Sequence, residues 1–107
     1  MELTQHQVVW VELDPTRGVE IRKTRPCVIL SPAEMNRHLA TVVVAPMTTT
    51  NRPLPTRVAT KVNGKKGYIV IDQIRTIDKS RIVSRGDVLS RAVRQQVQAV
   101  IKAAFVD

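Results

Sequence analysis

The chain has 107 residues, of which 43% are hydrophobic, and its formal net charge is +8. This length predicts one domain over residues 1–107 with a modest core, and the hydrophobic content excludes a disordered chain. No apolar run approaches the roughly 18 residues of a membrane span, and the first six residues lack the pattern of a secretory signal.

The single cysteine and the distribution of charge narrow the class of protein further. Cys27 is the only cysteine, so the sequence allows neither an internal disulfide nor a cysteine metal cluster, and a cytoplasmic setting is expected. Residues 25–86 hold eleven Lys/Arg against three Asp/Glu. Such a basic excess is typical of polyanion binders. Nucleic acid or an acidic protein partner is therefore expected, although a soluble domain with a high isoelectric point would also fit.

The first half of the chain predicts short strands joined by polar segments. Residues 7–13 are rich in β-branched and aromatic side chains. Residues 25–31 contain four consecutive apolar residues, which predicts a strand buried on both faces. A helical turn and a third strand that ends at its proline are expected next, over 32–37 and 41–46.

The second half predicts more strands and then one helix. Asn63-Gly64 is a strong hairpin signal, and Ser90 is a plausible N-cap for an amphipathic helix of about fourteen residues. This order predicts a mainly β fold with a C-terminal α-helix, as a small barrel-like sheet. The remaining strands are expected at 56–62, 68–71 and 73–77, with a short strand or a single turn at 80–83.

Most familiar catalytic constellations are missing from the sequence. No Gly-rich phosphate loop occurs. His6 and His38 are far apart, so no metal site and no cofactor are expected, and both are predicted to be solvated surface residues. Cys27 lies inside a predicted buried strand and is expected to be an inert core residue.

A carboxylate and a cation flank the start of the buried strand at 25–31. Glu20 lies in the polar loop before it, and Arg25 is its first residue. Catalytic groups often occupy such a rim, because a rigid strand holds them while the loop receives the substrate. Taken alone, the two residues would more simply form a surface ion pair worth roughly 0–1 kcal/mol.

Four short segments occur in order along the chain. They are WVELDPTRGVE at 10–20, RPCVILS at 25–31, VAPMT at 44–48 and DQIRTID at 72–78. On these segments the chain resembles the MazF/PemK family of toxin endoribonucleases, from residue 9 to about residue 81. The resemblance implies an SH3-like barrel, a homodimer, and metal-independent cleavage of single-stranded RNA, such as mRNA, at short sequences. It also implies neutralisation by an acidic, MazE-like antitoxin of a type II system.

The resemblance also implies which residues do the chemistry. The family's catalytic arginine, polar partner and loop carboxylate fall on Arg25, Thr48 and Glu20. The nucleophile would be the substrate's own 2′-OH, leaving 2′,3′-cyclic phosphate and 5′-OH ends. Glu20 would be the base, Arg25 the cation on the phosphate, and Thr48 the hydrogen-bond donor. The further RNA contacts implied are Arg17, Val19, Thr49, Asp72 and Gln73.

The chain departs from some relatives and leaves other interpretations open. Val19 and Val70 stand where certain relatives carry a histidine or an arginine, so the acid–base roles of those residues do not transfer. Asp72-Gln73 could equally be a strand-end turn, and a structural ion network is predicted for Arg75, Asp78 and Arg81. Two alternative functions remain: a toxin of the same fold that inhibits DNA gyrase, and a non-catalytic RNA-binding adaptor. The gyrase alternative is disfavoured because the chain lacks a tryptophan near its C-terminal end.

Overall fold

The computed structural model describes residues 2–12, 24–49, 53–62 and 64–106. The strands within them are β1 (Gln7–Val11), β2 (Arg25–Ile29), β3 (Thr41–Thr48), β4 (Arg57–Val62), β5 (Lys65–Val70), β6 (Arg75–Asp78) and β7 (Ile82–Val88). The helices are α1 (Ala33–His38) and α2 (Arg91–Phe105), and 3-10 turns lie at Ile71–Gln73 and Lys79–Arg81. The predicted mainly β fold with a C-terminal helix is confirmed.

The strands form one antiparallel sheet in the order β4-β5-β3-β2-β1-β7, and β6 pairs with β3 beside this path. On one edge β3 pairs with β2, and on the other it pairs first with β6 and then with β5. The prediction that Pro46 ends this strand is wrong. Pro46 lies between the last β6 pair at Val44 and the first β5 pair at Met47. Pro46 has no N–H, but neither β6 nor β5 pairs with β3 at this position. It therefore interrupts no hydrogen-bond ladder on that edge of β3.

The strand β2 separates two hydrophobic cores, as its unbroken apolar run predicts. Cys27 and Ile29 face the first core, together with residues of β1, β3 and β6. Val28 and Leu30 face the second core, which residues of β3, β4, β5 and α2 complete. All four side chains are buried, so the apolar surface on both faces of β2 stabilises the fold.

The helix α2 covers the second core, as its amphipathic pattern predicts. Ser90 is the N-cap, and its Oγ accepts a hydrogen bond from the Val93 N–H at 3.4 Å. Val97 is fully buried, whereas Val93 and Val100 are partly buried against the same core. Within the described ranges, no helix has the length and apolar character needed to cross a membrane.

The last strand in the chain, β7, is longer than the sequence predicts. In place of a short strand or single turn at 80–83, a 3-10 turn at Lys79–Arg81 leads into the seven-residue β7. Among the described residues this strand pairs with β1 alone, and it is mostly exposed, so its sequence lacks clear alternation. The predicted strand at 73–77 is likewise divided into the 3-10 turn at Ile71–Gln73 and β6.

The prediction of a solvated His6 is wrong. His6 is only 5% exposed and adopts a left-handed backbone conformation with φ 68°. Its N–H donates to the Ile29 carbonyl at 2.6 Å, and its carbonyl accepts from the Leu89 N–H at 2.9 Å. These two bonds join the end of β2 to the start of the α2 segment, and they draw the side chain inward. His38 is exposed, as predicted.

Candidate active site

The ends of β2 and β3 bring two of the predicted catalytic residues together. Cys27 pairs with Pro46 in the antiparallel register of these strands. The same register continued by two residues aligns Arg25 with Thr48. Arg25 is exposed and Thr48 is half-buried, so a guanidinium and a hydroxyl share one end of the sheet.

A buried thiol lies beneath this end of the sheet. The Cys27 Sγ donates a hydrogen bond to the Arg25 carbonyl at 3.8 Å. Burial raises the pKa of the Cys27 thiol to about 11, and the positive charges of Arg75 and Arg25 act in the opposite direction. Both guanidinium groups therefore lie within electrostatic reach of one sulfur atom. The thiol stays protonated at neutral pH, so Cys27 is an inert core residue, as the sequence predicts.

Arg75 also acts on the Cys27 thiol, which the sequence-based interpretation missed. It opens β6, opposite Val44, and shares a face with Ile77, which is buried in the first core. Arg75 is exposed and forms no ion pair with any residue of the described ranges. The prediction that it joins a structural ion network is therefore not met. The sequence did contain one signal of this position. Arg75 stands two residues before Ile77, and residues two apart in a strand lie on the same face.

Asp78 and Arg81 do have structural partners. The Asp78 carboxylate accepts from the Ser80 N–H at 2.8 Å, and hydrogen bonds with Ser80 lower the pKa of Asp78. Arg81 donates from Nη1 to the Glu12 carbonyl at 3.2 Å, and the Glu12 N–H donates back to the Arg81 carbonyl at 3.0 Å. These bonds join the end of β1 to the start of β7.

Asp72 and Gln73 lie in the 3-10 turn between β5 and β6. The Asp72 Oδ1 accepts from the Thr56 Oγ1 at 2.8 Å, and the Arg57 Nε lies 3.7 Å away. The carboxylate therefore holds the turn against the start of β4. Gln73 is exposed, and so is Thr49, which follows β3 directly. Both side chains remain available to a ligand, whereas Asp72 has a structural role.

Gly67 allows β5 to approach β3 closely at Thr48, a second position that the sequence did not reveal. A Cβ added at Gly67 would lie 2.8 Å from the Val62 Cγ2 and closer still to the Thr48 carbonyl oxygen. Glycine is therefore required here by space, and the sequence pattern suggested only a turn. The consequence is that β5, whose Tyr68 pairs with Thr48, fixes the backbone of Thr48.

Three predicted site residues, Glu20, Arg17 and Val19, lie outside the described residues. In the part of the chain that is described, no group of three or more His, Cys, Asp or Glu side chains could hold a metal ion. The groups that the structure brings together are thus two guanidinium groups and a hydroxyl. Such a set suits an oxyanion or a phosphate.

Comparison with known proteins places this arrangement in a family. A model of the PemK-like, MazF-like toxins of type II toxin–antitoxin systems matches residues 4–105. The chain belongs to this family.

Relatives of this MazF-like chain carry consistent names. It is 31% identical over 100 residues to the endoribonuclease MazF of Staphylococcus saprophyticus, which covers 88% of the chain and 83% of that protein. It is 33% identical over 70 residues to the endoribonuclease toxin MazF of Escherichia coli. That match covers 65% of the chain and spans 63% of the length of the Escherichia coli protein.

A solved structure shows the same fold. A mycobacterial endoribonuclease, determined in complex with its cognate antitoxin, is similar with a TM-score of 0.78 and 30% identity. The similarity covers 95% of this MazF-like chain and 93% of the mycobacterial one. The sheet with its C-terminal helix is thus the fold of MazF toxins.

Proposed function

We propose that this chain is a toxin endoribonuclease that cuts single-stranded RNA, such as mRNA, at short sequences. The observation that supports the proposal best is that Arg25 and Thr48 lie at one end of the sheet and that the charges of Arg25 and Arg75 both act on the buried Cys27. Both arginines are exposed and form no ion pair among the described residues, and such guanidinium groups suit an anionic ligand. Family membership and the names of the relatives support the same activity.

The chemistry would use the substrate's 2′-OH as the nucleophile. This hydroxyl attacks the neighbouring phosphorus as the P–O bond to the 5′-oxygen breaks, and the leaving 5′-oxygen takes a proton from water, giving a 2′,3′-cyclic phosphate and a 5′-OH. Glu20 would accept the proton of the 2′-OH. Arg25, as a planar fork, would stabilise the charge that develops on the phosphoryl oxygens, and Thr48 would orient one of them. Arg75 would add a second positive charge beside Arg25. Because the substrate supplies the nucleophile, the reaction would need no metal ion.

The assembly and partners would follow the family. A homodimer in the cytoplasm would bring the basic central segments of two chains to a shared groove. Single-stranded RNA would bind there, with Arg17, Val19, Thr49, Asp72 and Gln73 as further contacts. An acidic antitoxin would compete for the same surface, and its binding would weaken with added salt because exposed charges are screened.

The experiment is cleavage of a long RNA by the purified protein in EDTA, followed by analysis of the new ends. Cutting should persist without metal and leave cyclic phosphate ends. Arg25→Ala should lose roughly 10²–10³ in rate, the usual cost of removing one such electrostatic group. Arg37→Ala is the matched control, because Arg37 is an exposed arginine of α1, at the opposite end of β2, that pairs with Glu2.

Three outcomes would contradict the proposal in different ways. Full activity on RNA with a deoxyribose at the cut site would exclude attack by the 2′-OH. Activity lost in EDTA and restored by Mg²⁺ would exclude the metal-independent reaction. RNA binding without any cleavage would indicate the adaptor alternative instead.

A further inference from the structure

A polar cleft lies away from the candidate active site. It has a volume of about 440 Å³ and lies between the segment before β1 and the first turns of α2. The opposite end of β1, at Val11, pairs with Arg25. The four residue-to-residue steps from Gln7 to Val11 span about 13 Å of strand, so the cleft is separate from the Arg25 site.

The lining of this cleft is positive and rich in hydrogen-bond donors. Its charged residues are Arg91 and Arg94, and no carboxylate lines it among the described residues. Gln95 and Gln98 continue the same face of α2 and add side-chain amides. Arg91 and Arg94 also lie in the first turn of the helix, where the helix dipole favours an anion.

A histidine whose side chain is almost fully buried faces the cleft. His6 is 5% exposed and lines the cleft, and its side chain forms no hydrogen bond with the described residues. Its backbone is held in the left-handed region by two hydrogen bonds. Buried polar side chains usually have a partner, and non-glycine residues in this conformation concentrate at functional sites. The imidazole therefore offers an unused N–H donor to whatever enters the cleft.

Arg94 adds a second unsatisfied donor. Its Nε is shielded from solvent and has no hydrogen-bond partner among the described residues. Its positive charge also acts on His6. Burial is the larger cause of the lowered pKa of that imidazole, and the charge of Arg94 is the second. A buried cationic donor without an acceptor is costly. The Arg94 side chain as a whole is half-buried and lines the cleft, so its remaining N–H groups would pair with an anion there.

We propose that this cleft, defined by His6, Arg91, Arg94 and Gln98, is a binding site for a phosphate group. Guanidinium groups match phosphate geometry with paired hydrogen bonds, and the imidazole and amide groups would satisfy the remaining oxygens. The phosphate could be free in solution or part of a nucleic-acid backbone. The site does not depend on the RNA-cleaving activity proposed above.

The test is a titration of the full chain with inorganic phosphate at constant ionic strength. The signals followed are the His6 ring and Arg94 Nε–H resonances in NMR spectra. A parallel titration uses a single-stranded oligodeoxynucleotide, which has no 2′-OH to be cleaved. Arg94→Gln should weaken binding at least about tenfold, as expected for losing a hydrogen bond between charged groups. Lys102→Gln is the control, because Lys102 is an exposed cation in the last turn of the same helix.

The two titrations distinguish the source of the phosphate. Phosphate binding that Arg94→Gln weakens and Lys102→Gln does not would establish a site for the free ion. The same pattern with the oligodeoxynucleotide alone would establish a site for the nucleic-acid backbone. Equal losses in both variants, or no shift of the His6 ring with either probe, would overturn the proposal. His6→Asn provides a second test, since asparagine tolerates the left-handed backbone, and it too should weaken binding.

Discussion

Because Gly67 has no side chain, β5 can pack closely against Thr48 of β3. Gly67→Ala would force a Cβ against the Thr48 carbonyl and the Val62 side chain. We expect a loss of about 1–3 kcal/mol in the free energy of unfolding, as for overpacking elsewhere, together with slower RNA cleavage. Urea unfolding and cleavage assays of the same preparation would measure both effects.

Gly64→Ala is the control for this substitution. Gly64 has φ +78° and nothing within 4 Å of an added Cβ, so alanine there strains the turn but displaces no neighbour. It should lower stability and leave the rate of cleavage of the folded protein unchanged. Equal losses of cleavage in both variants would show that Gly67 acts through stability alone.

Cys27 should react slowly while the protein is folded. Burial raises the pKa of its thiol to about 11 despite the nearby charges of Arg75 and Arg25, and only the thiolate is reactive. At pH 8 we expect iodoacetamide to label the folded chain far more slowly than the chain in denaturant, as mass spectrometry would follow. Similar rates in both conditions would contradict the described burial.

The residues that sequence reasoning found and missed differ in a physical way. Arg25 and Thr48 lie in short motifs of fixed spacing, so a resemblance identified them. Arg75 lies in such a motif too, but its orientation depends on the pairing of β6 with β3, which no local pattern reveals. His6 was missed because its burial results from two backbone hydrogen bonds to distant residues.

At the scale of elements, the segment before β1 should make stability depend on pH. Burial first, and then the charge of Arg94, lowers the pKa of His6 from 6.5. The unfolded chain therefore binds a proton more readily than the folded one. The free energy of unfolding should be highest above pH 6.5 and fall as the pH drops through the lower pKa of the folded state.

Urea unfolding between pH 5 and pH 7.5, in buffers without phosphate, would test this dependence. His6→Asn should remove most of it, because the group that gains a proton on unfolding is gone. His38→Asn replaces an exposed histidine of α1, and this variant should keep the pH dependence of the wild-type chain. An unchanged pH dependence in His6→Asn would refute the assignment.

The elements that the sequence predicts well are those whose side chains pack against a hydrophobic core. The apolar run of β2 and the helical spacing of α2 are confirmed because both segments pack against buried residues. The extent of β7 was missed because this strand is an exposed edge whose formation depends on backbone pairing with β1. Gly86 in β7 illustrates the point, since an added Cβ there would lie 2.9 Å from the Trp10 ring and 3.4 Å from the Val8 carbonyl oxygen, both on the neighbouring strand β1.

At the scale of the whole molecule, we expect a homodimer. Large apolar side chains remain exposed on the chain, among them Phe105 at 59% and Val106 at 58%. An apolar cleft of about 280 Å³, lined by Trp10 and Met47 among others, adds to this surface. Sedimentation equilibrium at micromolar concentration should give about twice the 12.0 kDa mass of one chain. A species of 12.0 kDa alone would contradict the expectation.

The pairing of β1 with β7 also has a consequence for synthesis on the ribosome. Val9 pairs with Arg85, so one edge of β1 finds its partner only after about 76 further residues have been added. At about 5–20 residues per second, translation leaves that edge open for roughly 4–15 s. An open strand edge is a template for pairing with other chains. The nascent chain is therefore most exposed to aggregation, and to capture by chaperones, in the interval before β7 emerges.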